Sequence, residues 1–196
     1  MDDPSEANAQ IPECKECRMN SSEALVGTWH VVLWSHNFLI TVISDLNMQI
    51  DKLAANQPLS DQKSLFEWFA DPPGVICPQL VVLSPAEATK FEFAYTIDPG
   101  LKPKSIINKW DRQFDGSILW HLTPKLQVHI CPTFIEKDII ILRQIDSFPR
   151  CNNLIVLVRG DKKNFDKIDA IRDMIEEEGH TSIGTNALVR TRCIFS

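Results

Sequence analysis

The sequence predicts an all-β protein: an eight-stranded antiparallel up-and-down barrel with a C-terminal helix and a helical insertion after the first strand. Three observations predict it. Past Gly74 the chain carries strand-like runs at a spacing of about 8–14 residues, joined by short links without helical periodicity. Turn residues separate them at Ser84-Pro85, Asp98-Pro99-Gly100, Asp115-Gly116, Thr123-Pro124, Cys131-Pro132 and Phe148-Pro149. One more β-favouring run precedes them, after residue 26. An open meander of this kind would expose two edges, and closure into a barrel removes them.

Taken in order, residues 1–22 are polar and read as a tail, leaving 23–196 as the barrel domain. The first strand is 27–35, where Val31, Val32, Leu33 and Trp34 favour extended backbone. An insertion then occupies about 38–73. Within it Leu46, Ile50, Leu53 and Ala54 recur at helical spacing up to Pro58, and Ser60 can cap a second short helix ending at Asp71-Pro72-Pro73-Gly74. The remaining strands are expected at 79–83, 89–97, 104–114, 117–122, 125–131, 138–145 and 153–159. Asp115-Gly116 marks a tight hairpin. A last helix follows, capped by Asn164 or Asp166, carrying an Ile168, Ile171 and Ile175 stripe and ending at Gly179. Glu176, Glu177 and Glu178 have the wrong sign for its C-terminal end, so the apolar stripe must dock it.

Composition narrows the function. The chain has 196 residues, with 44% hydrophobic and 23% charged, which fits a folded domain rather than a disordered one. A net charge of -6 and a pI near 5.3 argue against nucleic acid or an anionic membrane as partner. No apolar run approaches the length of a membrane span. The start, Met1-Asp2-Asp3-Pro4, is acidic and unlike a signal peptide, so the chain is expected to be a mature secreted form. Six cysteines include one Cys14-x-x-Cys17 pair, without the further ligands a zinc site needs and outside any strand-to-helix redox setting. Structural disulfides in an oxidising compartment are the better account. Asn20-Ser21-Ser22 is a glycosylation acceptor in keeping with a secreted glycoprotein.

Nothing in the sequence nominates catalysis: there is no phosphate loop, nucleophile elbow or Ser/His/Asp arrangement. The expectation is a non-enzyme without cofactor or metal. Among five scattered histidines, His121 and His129 flank the 123–124 turn but are expected to point to opposite faces. Alternation does outline an apolar interior. Phe91, Phe93 and Tyr95 share one face of their strand, Ile118 and Trp120 share another, and Trp110 stands on the strand between. Such an interior is either a solid core or a ligand pocket. In the insertion, Phe66, Trp68 and Phe69 either seal it against the barrel rim or form a lid or protein-docking surface.

Gly27-Thr28-Trp29 on the first strand, Cys77-Pro78-Gln79-Leu80 at the second, and Leu154-Ile155-Val156-Leu157-Val158-Arg159-Gly160 leading into an amphipathic helix resemble, in that order, the signature of the lipocalin family. The resemblance spans residues 23–193, and the tail from Gly179 to Cys193 is most similar to apolipoprotein D-like and violaxanthin de-epoxidase-like lipocalin domains. It implies a Cys77–Cys193 disulfide, and a second bridge from Cys14 or Cys17 to Cys131 or Cys151. It also implies that Trp29 plugs the closed end of the barrel. An Arg159 laid across that indole would gain a cation–π contact while its donors cap nearby carbonyls. The function implied is extracellular binding and transport of a small lipophilic ligand (fatty acid, lipid, retinoid or pigment), lined by Phe91, Phe93, Tyr95, Trp110, Ile118 and Trp120. The alternatives are an interaction module with a filled barrel, whose protein partner docks on the 38–73 insertion, and a lipocalin-type enzyme acting on an apolar substrate.

Overall fold

Among the described residues, nine strands form one antiparallel sheet: β1 (Gly27–Ser35), β2 (Val75–Val82), β3 (Ala88–Tyr95), β4 (Lys104–Arg112), β5 (Ile118–His121), β6 (Gln127–Glu136), β7 (Ile139–Gln144), β8 (Leu154–Val158) and β9 (Leu188–Arg190). The computed structural model describes residues 17, 22–38, 75–83, 88–95, 104–121, 127–147, 153–160, 162–177 and 188–191. At 75–78, 88–95, 104–106, 162–163 and 189 the description is of the backbone alone. The all-β antiparallel sheet and the C-terminal helix expected from sequence are both present. Apart from Phe38, the insertion with Phe66, Trp68 and Phe69 lies outside the described residues, as does Cys193.

From β2 to β8 each strand pairs with the next, and β1 pairs with both β2 and β8, so the meander returns to its start. β1 divides one of its edges. Gly27 to His30 pair with β2, and Leu33 to Ser35 pair with β9, a strand the sequence reading did not include. Its other edge pairs with β8 through a register shift between Val31 and Leu33. That bulge has a consequence for packing. In a regular strand Trp29 and Trp34, five residues apart, would face opposite sides. Here Trp29, Val31 and Trp34 all join the inner core cluster, while Val32 and Leu33 both turn outward.

The outward residues need a cover, and the C-terminal segment supplies it. After a short turn of helix, α1 (Lys162–Phe165), comes α2 (Ile168–Glu177), whose Ile168, Ile171 and Ile175 are buried. They pack with Val32, Leu33, Ile139, Ile141, Val156 and Val158 as a second core outside the strands. Asn164 does not cap this helix. It lies within α1 and donates from Nδ2 to the Arg159 carbonyl oxygen at 2.8 Å. Ion pairs from Arg190 to Asp169 (2.9 Å) and from Lys167 to Glu136 (2.6 Å) tie the helical segment to β9 and β6. Both are exposed and contribute little. Truncating fully buried Ile175 to alanine should therefore cost about 2–4 kcal/mol, read as a lowered urea midpoint. A loss below about 1 kcal/mol would mean that the helix is not held by its apolar stripe.

One predicted turn is displaced. Cys131-Pro132 was expected to end a strand, yet β6 continues to Glu136, with Pro132 paired opposite Leu142. β5 pairs with β6 only as far as Ile118 opposite Ile130, so beyond that point one edge of β6 serves no ladder among the described residues and the missing proline N–H is tolerated. The turn falls instead at Lys137-Asp138, which proves important at the sealed end of the sheet.

Candidate ligand site

Alternation carries one face of the strands inward. Leu80 and Val82 of β2, Ile118 and Trp120 of β5, Val128 and Ile130 of β6, and Ile155 and Leu157 of β8 form one cluster with Trp29, Trp34 and Trp110. Trp110 and Trp120 sit directly opposite each other on β4 and β5, with ring centroids 5.8 Å apart in an edge-to-face arrangement. Phe38, just past the end of β1, turns into the same interior and packs 6.4 Å from Trp120 and 6.1 Å from Trp34. Of the predicted wall residues, the structure thus brings together Trp110, Ile118 and Trp120. The side chains of Phe91, Phe93 and Tyr95 lie outside the described residues. By backbone register Phe91 stands opposite Leu80 on β2 and Ile106 on β4.

Sequence reasoning missed Asn108. It is only 3% exposed and shares the inward face of β4 with Trp110, whereas Ile107 points outward and is 72% exposed. The signal was available, since two residues separate Asn108 from Trp110 and the period of a strand is two. An apolar residue outside and an amide inside reverse the usual preference.

One end of the sheet is sealed by the residues that carried the family resemblance. Arg159 leaves the end of β8 and lays its guanidinium 4.4 Å from the centroid of the Trp29 ring. Its Nε donates to Asp138 Oδ1 at 2.9 Å and an Nη donates to the Val26 carbonyl at 3.0 Å. Trp29 Nε1 in turn donates to the Leu25 carbonyl at 2.8 Å, fixing the 3-10 turn Ser22–Leu25 beneath it. Gly27 has φ of 129°, a region that side chains disfavour, and a Cβ there would lie 3.4 Å from an Arg159 Nη. Asp138 reaches Arg159 only because the β6–β7 turn falls at 137–138. The tail is held by a Cys17–Cys131 disulfide, one of the pairings the resemblance allowed. Cys193 lies outside the described residues, and with it the expected pairing to Cys77.

The outer face holds two hydrogen-bonded histidines. Leu119 pairs opposite His129 and His121 opposite Gln127, so both imidazoles share one face, and the expectation of opposite faces was wrong. They are separately engaged. His121 Nε2 meets Asp111 Oδ2 at 2.7 Å, while His129 Nε2 meets Ser117 Oγ at 2.6 Å. A hydrogen bond from Lys109, helped by His121, holds the Asp111 carboxyl below its usual range. Hydrogen bonds from Ser117 Oγ and its backbone N–H do the same for Asp115. This constellation resembles a catalytic Ser/His/Asp set in composition and differs in wiring. The serine hydroxyl has one proton and lies 2.5 Å from Asp115 Oδ1, so it donates to the carboxylate and accepts from the imidazole. A nucleophilic serine needs the reverse, its proton taken by the histidine. Among the described residues no cluster of three His, Cys, Asp or Glu could hold a metal ion.

His30 sits on the outer face of β1 with its ring 5.6 Å from Phe165 in α1, and desolvation lowers its pKa from 6.5. The unfolded chain therefore takes up this proton first as the pH falls. Stability from neutral His30 is complete above about pH 6.5 and is lost as the pH drops toward the lowered folded value. A urea midpoint that declines between pH 7 and 5, with a shallower slope in His30→Gln, is the expected result.

No family model matches the chain, and no curated protein sequence matches it. Among solved structures, a deswapped triple mutant of bovine odorant binding protein is similar with 16% identity and a TM-score of 0.38, covering 85% of this chain and 93% of that one. The same bovine protein in complex with undecanal is 16% identical with a TM-score of 0.32, covering 88% and 96%. Its complex with its natural ligand is 15% identical with a TM-score of 0.31, covering 86% and 100%.

Proposed function

We propose that this chain is a secreted lipocalin-type carrier that binds one small lipophilic molecule inside a barrel formed by β1 to β8. The observation that carries the reading is the inner face: an apolar and aromatic surface, stoppered at one end by Trp29 beneath Arg159. Burial against such a surface contributes about 25 cal/mol per Å² of apolar ligand area. Secretion is supported by the Cys17–Cys131 bridge, since disulfides persist mainly in oxidising compartments. Among the described residues, no helix is long and apolar enough to cross a membrane. A role without covalent chemistry is supported by Ser117, whose proton is committed to Asp115 rather than to His129.

The test is uptake of 1-aminoanthracene, an apolar fluorophore, by the purified chain. A saturable fluorescence increase at one site, reversed by medium-chain alkyl compounds, is the expected result. The second reading is a barrel filled by its own side chains that acts through protein contacts. The contiguous packing of Trp34, Phe38, Trp120 and Trp110 favours it. Absence of uptake, together with no lipid retained in native mass spectrometry, would decide for that alternative.

A further inference from the structure

We propose that the interior selects a neutral carbonyl compound, such as a medium-chain ketone, aldehyde or ester, by a hydrogen bond from the indole N–H of Trp110. This rests on the carrier reading and narrows it. Trp110 is 1% exposed and belongs to the inner cluster, and its Nε1 has no hydrogen-bond partner. Trp29 shows the contrast, because its equally buried Nε1 is satisfied by the Leu25 carbonyl. A buried donor left unpaired forfeits its hydration without a replacement, so native proteins rarely keep one without a use. An indole N–H only donates, and its complement is therefore an acceptor. Asn108, two residues earlier on the same face and 3% exposed, adds a second buried polar side chain to this part of the inner wall.

The acceptor is expected to be uncharged. Burying a carboxylate without a paired cation is far costlier than burying a carbonyl. Among the described residues no fully buried cation faces inward. Arg143 is buried but shares the outward side of β7 with Ile139 and Ile141. Arg159 lies over the ring of Trp29, at the sealed end. Arg112 shares the face of Trp110 but sits at the strand end and is exposed.

The experiment compares 2-undecanone, undecane and undecanoic acid on the intact protein, by displacement of 1-aminoanthracene and by the indole N–H resonances in a 15N-labelled sample. The ketone is expected to bind about tenfold more tightly than the alkane, the margin of one buried hydrogen bond. The ketone should also move the Trp110 resonance downfield, and the alkane should not. In Trp110→Phe the ketone preference should vanish while undecane still binds. Should that variant not fold, the ligand pair on the unaltered chain still decides, through the resonance. Equal binding of ketone and alkane, a preference that survives Trp110→Phe, or tighter binding of the acid would overturn the proposal. Failure of all three compounds and of the fluorophore would instead sink the carrier reading itself.

Discussion

Replacing Trp29 by alanine is expected to lower the unfolding free energy by about 3–5 kcal/mol, the range for deleting a large aromatic side chain from a packed interior. Several structural roles meet in this one side chain. It is fully buried in the inner cluster, its Nε1 holds the Leu25 carbonyl, and its outer face carries the Arg159 guanidinium at 4.4 Å. Removal leaves that carbonyl without its donor and takes the aromatic support from under a charge bound to Asp138 and the Val26 carbonyl. Trp29→Phe separates the contributions: it keeps most of the apolar volume and the ring face but loses the donor, and should cost about 1–2 kcal/mol less than the alanine change. Urea midpoints at constant m-value measure both. If Trp29→Ala cost under about 1 kcal/mol, this end of the sheet would not be held by the plug. Gly27→Ala should also destabilise, because at φ of 129° any Cβ is strained and this one meets Arg159.

What could be read from the sequence was governed by local chemistry. Alternation named Trp110, Ile118 and Trp120 as neighbours because the period of a strand is fixed and tight turns bound these strands. It failed where a strand departs from that period. The bulge at Val31 and Leu33 returns Trp34 to the interior, and no single residue there announces it. Pro132 misled for a related reason. A proline ends a strand only where its N–H is required, and that depends on the length of the neighbouring β5, a property of another segment. The shared face of His121 and His129 likewise follows from register across a turn, which spacing alone does not set. Asn108 was overlooked because polarity was read as exposure. β9 was missed because three residues carry too little pattern.

Removing the Cys17–Cys131 bridge is expected to destabilise the chain by about 2–5 kcal/mol. The two cysteines are 114 residues apart in sequence, so the bond closes a loop containing β1 to β5. The chain-entropy account assigns about 4–5 kcal/mol to a loop of that length, mostly by restricting the unfolded ensemble. The cysteines differ in surroundings, which allows the bond to be separated from packing. Cys131 is fully buried on β6, while Cys17 is part exposed. Cys17→Ala should therefore show nearly the whole cost of losing the bridge. Adding Cys131→Ala should cost only the contacts of one small buried side chain, about 1 kcal/mol. In the opposite order Cys131→Ala alone should carry both losses, and Cys17→Ala added to it almost none. Such a cycle, followed by urea unfolding, gives a large coupling between two residues that touch only through the bond. A Cys17→Ala variant as stable as the unaltered chain would mean that the tail is fastened to β6 without constraining the fold. Stabilisation of the sheet would then rest on the Trp29 plug and the α2 stripe.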